Sequence, residues 1–164
     1  MSPRPTRGLI ASWRPVVSKT WFTAWPTLTD EFVTAWNERV SHDDVAWLLG
    51  EPEGPVGRLN GRKYFVKGMR TVRVPLLGGP VFGRPVVVVA ASDTVSMPKG
   101  RADWLVHGGP VGTEGPVCDP EHRWLDVSAH IWGGPMGADE IAALITEADS
   151  GAVPDTSQWK TLHG

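Results

Sequence analysis

Asp126, Ser128 and His130 stand at alternate positions in the segment RWLDVSAHIW, residues 123 to 132. A carboxylate, a hydroxyl and an imidazole are the groups of a hydrolytic triad, in which the imidazole takes the hydroxyl proton and the carboxylate orients the ring. The spacing argues against that chemistry. The segment alternates apolar and polar residues, so it reads as a strand, along which neighbouring members of the set lie about 6.5–7 Å apart and the outer two about 13 Å. A triad needs hydrogen-bond reach. His122, Asp126 and His130 fail as metal ligands for the same reason, because a four-residue strand step separates each pair and a metal holds its ligands at about 2 Å. By parity, Leu125, Val127, Ala129 and Ile131 turn toward a core, while Trp124, Asp126, Ser128, His130 and Trp132 turn outward. Trp124, Asp126, His130 and Trp132 are therefore expected to form a docking surface.

Other groupings offer less. GPVGRLNGRKYFVKG, which ends at Gly68, has the look of a glycine-rich loop followed by a strand lysine, Lys67, but the catalytic-loop and metal-binding motifs of a kinase are absent from the sequence. GGPVFG after Leu77 matches neither a dinucleotide fingerprint nor a phosphate loop. His42 reads as a neighbour of a helix cap. Cys118 is alone, which excludes an internal disulfide and any cysteine-rich zinc site. One enzymatic alternative stays open, a site built from loops around His107, with Asp103 and Asp119, in the polar segment 93–121. No cofactor or metal is expected.

The elements that must position these residues follow from periodicity. Residues 1–27 carry Arg4, Arg7, Arg14 and Lys19 without an acid and scatter Trp13, Trp21 and Trp25 among prolines, which reads as an extended basic arm. It would dock on its own domain, on a neighbouring copy or on nucleic acid phosphates. Residues 28–164 read as a single domain. After Thr29, Phe32, Val33, Trp36 and Val40 share a helical face with Asp30 and Glu31 in the first turn. Ser41 and Asp44 resemble a capping box and predict a second short helix through Leu49. Asn60-Gly61 predicts a hairpin turn, TVRVPLL a half-buried or edge strand, and PVVVVAAS a strand buried on both faces. After Gly133-Gly134-Pro135, Ile141, Leu144, Ile145 and Ala148 recur at helical spacing, with Gly151 as the stop. The tail TSQWKTL predicts one more short strand. The fold class expected is α+β: a mixed, mostly antiparallel sheet, an N-terminal helix pair, a C-terminal amphipathic helix on one face, and the extended arm.

At 164 residues the chain can bury one sizeable core, and the absence of a run of about 20 apolar residues predicts a soluble protein. The net charge of -2 hides a division: residues 1–101 carry 14 Lys and Arg against 8 Asp and Glu, whereas residues 102–164 carry 2 against 10. A basic surface on one copy and an acidic surface on the next suit a head-to-tail contact. A nucleic-acid accessory protein is the weaker reading of the same charge, since no recognisable binding motif accompanies it.

WLDVSAHIW and GADEIAALITEA, with RPVVVVA as a third segment, resemble in order and hydropathy the tail-terminator or tail-completion proteins of long-tailed bacteriophages. The resemblance covers about a third of the chain, and the tryptophan-rich arm and the long segment 93–121 depart from the family's compact form. It implies a non-enzymatic virion protein, assembled in the host cytoplasm. It also implies a hexameric ring of copies that caps the tail tube, meets the neck proteins and lets DNA pass without sequence-specific binding. Trp13, Trp21 and Trp25 would then anchor the arm on a neighbour, and no membrane is involved.

Overall fold

Thr29 starts the first helix as its residue type dictates: its hydroxyl accepts the amide of Phe32 at 3.1 Å, and Asp30 and Glu31 occupy the first turn. In a computed structural model, which describes residues 18–76, 86–92, 104–109 and 118–151, this helix α1 spans Asp30–Arg39 and buries Phe32, Val33 and Trp36. Before it runs strand β1, Thr20–Ala24, and after it β2, Val45–Leu49. β1 and β2 pair in parallel, and β2 pairs in parallel with β3, Arg62–Val66.

Three expectations are corrected here. The predicted second helix is β2. Ser41 N does donate to the Asp44 carboxylate at 2.9 Å, as a capping box would have it, but the same carboxylate also accepts Lys19 N at 3.0 Å and Trp21 Nε1 at 2.9 Å. It thereby fastens the start of β2 beside the start of β1. Asn60-Gly61 does not turn a hairpin, because β2 and β3 run the same way. The chain crosses over through a 3-10 turn at Val56–Arg58, and Asn60 is held to the end of α1 through Trp36 Nε1, Asn37 Oδ1 and Val40 O. Third, residues 20–24 of the expected arm are the strand β1, with Trp21 to Ala24 buried; Trp13 lies outside the described residues.

A second sheet holds β4, Thr71–Pro75; β5, Val86–Ala90; β6, Trp104–His107; β7, Cys118–Asp119; and β8, Trp124–Asp126. β4 is the predicted edge strand and pairs antiparallel with β5; β5, β6 and β8 are parallel; β7 returns antiparallel to β8. Val87 to Ala90 are buried on both faces, as the valine run predicts. The sheets are mixed, but parallel pairings prevail over the expected antiparallel ones.

The alternating segment keeps its parity only in part. Leu125 and Val127 are fully buried, yet the strand stops at Asp126, and residues Ala129–Trp132 form a helical turn, α2, closed by Gly133 at φ +73°. Trp132, expected to face outward, is wholly buried and donates Nε1 to Asp126 O at 2.8 Å. A short β9, Met136–Gly137, then pairs antiparallel with β1 and leads into the closing helix α3, Ala138–Asp149. α3 buries Ile141, Leu144 and Ile145 against Phe22, Leu49 and Val66 of the first sheet and Val87, Val89, Val106 and Leu125 of the second. Each such side chain contributes about 1.5–3 kcal/mol. α1 covers the other face of the first sheet through Ala46 and Leu48. The tail strand predicted for TSQWKTL lies outside the described residues.

The backbones of the two sheets are bridged at Ala24 and Ser128. Ala24, the last residue of β1, bridges in parallel to Ser128, and the Ser128 hydroxyl accepts Gly109 N at 2.9 Å and donates to Gly109 O at 3.2 Å. A Cβ on Gly108 would collide with the Ala24 side chain and meet Ser128 Oγ at 3.0 Å. Gly108→Ala is expected to lower stability to urea by about 1–3 kcal/mol, and Ala24→Gly added to it should return part of that loss; additive losses would show that the two positions do not oppose each other. Asp44 offers a second check. Burial alone would raise its pKa, but the amides of Ser41 and Lys19, the Trp21 indole and the Lys19 charge outweigh burial and hold the carboxyl below its ordinary range. The stabilisation is thus complete above the unfolded value near 3.9 and is lost as pH falls through the lower, folded one. Asp44→Ala should cost about 3 kcal/mol at neutral pH, and Asp44→Asn should flatten the acid limb of the stability curve measured by urea titration.

Candidate functional site

The residues singled out for chemistry are engaged in structure. Asp126 accepts Ser128 N at 2.8 Å, the Ser128 hydroxyl is occupied by Gly109, and His130 is exposed on α2. The Asp119 carboxylate takes His122 Nδ1 at 2.8 Å. Slight burial pushes its pKa up, but hydrogen bonds from the ring and amide of His122 prevail and bring it below the ordinary range. Asp119 is thereby turned to His122, and Asp103 lies outside the described residues. His107 ends β6, is 7% exposed, and packs edge-on to Trp124 with ring centroids 6.1 Å apart. Its Nδ1 is buried without a hydrogen-bond partner. Burial, aided by the carboxylates of Asp119 and Glu147, pushes the Cys118 thiol up to about 11, so it stays protonated at neutral pH and is a poor nucleophile. Among the described residues no group of three or more His, Cys, Asp or Glu is placed to hold a metal ion. No described helix is long and apolar enough to cross a membrane.

The tryptophans expected to bind partners divide. Trp21 is buried, its indole bonded to Asp44 and its ring covered by the Arg39 guanidinium at 5.0 Å. Trp124 is half-buried under a stacked His122 ring at 4.6 Å. Trp25 is different. It follows β1 with φ at +50°, a conformation uncommon outside glycine, and its Nε1 donates to Ala91 O at 3.0 Å. Its indole lies against Gly50, where a Cβ would strike the ring.

Trp25 and His130 come together in a cleft of about 580 Å³ between α1 and the α2 turn. The cleft opens where β1 ends and where the chain leaves β8, beyond the carboxyl ends of neighbouring parallel segments, a usual place for binding sites in such sheets. Trp25 and Phe32 supply aromatic surface, and Ala35, Ala129 and Gly133 keep the walls low. Glu31 and Glu38, on the same helical face as Ala35, line the α1 side and make no ion pair among the described residues. Arg39 also lines the cleft, but its guanidinium is tied to Glu140 at 2.8 Å and to Pro135 O at 2.9 Å. The rim is left acidic.

A second surface has the opposite character. Between Gly54 and Ser92 the chain has seven Lys and Arg and no Asp or Glu. This stretch includes the edge strand β3 and the turn into β4, and it holds all the exposed large apolar side chains among the described residues: Tyr64, Phe65 and Met69, the last 68% exposed. Tyr64 stacks on Trp47 at 5.1 Å, and Lys67 Nζ lies 5.6 Å from the centre of the Phe65 ring. Cations on an edge strand are ordinary protection against pairing. Three exposed apolar side chains beside them are not.

Sequence reasoning placed Trp25 and His130 among binding residues but missed Glu38, Phe32's edge of the cleft, and the Tyr64–Met69 surface. The acid-free stretch was the available signal; it was diluted by averaging charge over residues 1–101. No family model, curated protein or solved structure matches the chain.

The orphaned nitrogen of His107 supplies a test of whether that ring serves structure. His107→Leu removes a buried polar atom without a partner, so stability in a thermal melt should hold or rise by about 1 kcal/mol. A fall of that size or more would show that the imidazole is held by a bond that leucine cannot replace.

Proposed function

We propose that this chain is a structural assembly protein that works as a homo-oligomer. The observation that carries the reading is the separation of its outward charge: a basic surface bearing Tyr64, Phe65 and Met69 stands apart from an acid-rimmed cleft, and in sequence residues 102–164 carry 2 Lys and Arg against 10 Asp and Glu. Exposed apolar side chains rimmed by charge are the usual mark of a protein contact. In its finer form the reading is a tail terminator: a ring, hexameric in the family resembled, that caps the tail tube of a long-tailed phage, meets the neck proteins and resides in the virion. The valine strand β5 and the amphipathic α3 support that form. The segment from Trp124 to Trp132 lends it less, being a short strand followed by a helical turn.

A second reading, a small enzyme with a site around His107, draws on the buried, unpartnered Nδ1 of that ring.

Light scattering at low ionic strength, alone and with isolated tail tubes, is the test of assembly. A mass several times the 17.8 kDa of one chain or capture by the tubes is expected, with partial dissociation in 1 M salt, where the screening length is only about 3 Å. A single-chain mass under every condition, and no capture by tubes, would sink the proposal.

A further inference from the structure

Resting on that reading of self-assembly, we propose that the β3–β4 turn of one copy, led by Met69, seats in the Trp25–Phe32 cleft of another copy. The two surfaces complement each other in three respects. The first is charge. The turn carries Lys67 and Arg70 on either side of Met69, and Arg70 makes no ion pair among the described residues, while Lys67 meets an exposed Glu51 at 3.4 Å and lies over the Phe65 ring. The cleft presents Glu31 and Glu38, and the guanidinium of Arg39, which also lines it, is committed to Glu140. Pairing them joins a basic turn to an acidic rim in one complementary contact.

The second is shape. Met69 is the most exposed of the large apolar side chains among the described residues and stands at the tip of a turn, beside Gly68 at φ +63°. A methionine is unbranched and adaptable, and its sulfur packs well on aromatic rings. The cleft, at about 580 Å³, has room for it between Trp25 and Phe32, because Ala35, Ala129 and Gly133 bring no bulk to the walls. The third is placement. The turn lies beyond β3 at the edge of the first sheet, whereas the cleft opens beside β1, two strands inward. A copy therefore offers one surface while receiving on another. Contacts between unlike surfaces are those that close into rings or extend into filaments.

A nucleic acid strand on the same basic edge is the competing occupant. The strand geometry disfavours it: Tyr64 and Phe65 are successive residues of β3 and point to opposite faces of the sheet, so one strand of stacked bases cannot use both.

Two charge-reversed variants make the test. K67E/R70E has an acidic turn and an acidic cleft; E31K/E38K has a basic turn and a basic cleft. All four side chains belong to the surface, so both variants should keep the wild-type circular dichroism, with E31K lowering the melting temperature slightly because it places a cation in the first turn of α1. Each alone should associate roughly tenfold or more weakly than the wild type at low salt. Mixed in equal amounts, they should recover association, since each turn then meets a cleft of opposite charge. Met69→Ser should weaken wild-type association while leaving the mixture's dependence on charge intact. If either variant alone assembles as the wild type does, or the mixture stays apart, the contact lies elsewhere and this inference fails while the assembly reading survives. A wild type that never assembles would remove both. Should K67E/R70E lose binding to a single-stranded thymidine oligonucleotide while self-association is unchanged, the basic edge is a nucleic acid surface and the docking proposal is overturned.

Discussion

The body of this protein depends on a close backbone approach between residues that are far apart in the chain. Ala24 at the end of β1, Gly108 after β6 and Ser128 after β8 converge where the two sheets join, and the space allows no side chain at position 108. Ser128 fills a role there that its chemistry makes available to few other residues. A single hydroxyl both accepts and donates to Gly109, satisfying two backbone groups in a buried place where water cannot reach them. The indole of Trp25 reaches over the joint to Ala91, so the first sheet is also pinned to the residue that follows β5 of the second. The core that α3 closes can be continuous only because this joint brings the two apolar faces together.

Around that joint, charge is treated in two ways. Charged groups near the core are compensated: Asp44 is surrounded by the indole of Trp21 and two amides, and Arg39 is shared among Glu140, Pro135 O and the Trp21 ring. These bonds brace β1 between the end of α1 and the start of α3. Some outward charges are paired, as Arg58 with Asp30 and Lys67 with Glu51, but on two surfaces one sign prevails, with Lys67 and Arg70 beside exposed apolar groups and Glu31 and Glu38 beside the cleft. Sorting of this kind adds nothing to the stability of one chain, because like charges repel. It is intelligible as a property of a contact surface.

Much of the scaffold was legible where one periodicity dominates. α1 shows its cap and its apolar stripe, α3 its i, i+3, i+4, i+7 pattern, β4 its alternation and β5 its valine run. Misreadings arise where local signals agree with more than one partner. Ser41 to Asp44 carries the letters of a helix start, and the turn does form, but VAWLL is an apolar run too short to choose between helix and strand by itself, and pairing on both sides with β1 and β3 decides it. Asn60-Gly61 has the torsional freedom of a hairpin, with Gly61 at φ +104°, yet the Asn60 polar atoms are taken by α1 and the strands end up parallel. From Trp124 to Trp132 alternation holds through Val127; beyond it, Gly133 lets the backbone end a helical turn, and Trp132 falls inward. Of the residues that line the cleft, Trp25 and His130 stand out in the sequence, but that α1 and α2 lie side by side with Glu31 and Glu38 on the rim required the tertiary fold.

The bridge from Ala24 to Ser128, with β9 pairing to β1 beyond it, also bears on how the chain comes into being. The earliest strand in the described sequence receives neighbours encoded more than a hundred positions later. High contact order of this kind slows folding, since loop-closure entropy must be met before the distant pairing rewards it. During synthesis β1, α1 and β2 emerge together, but one edge of β1 stays without its mate until Met136 and Gly137 have been made. That waiting edge is open to mispairing while it lacks its mate, and the close fit of Ala24 against Gly108 leaves no room for a side chain at position 108 once the distant segments have closed on it.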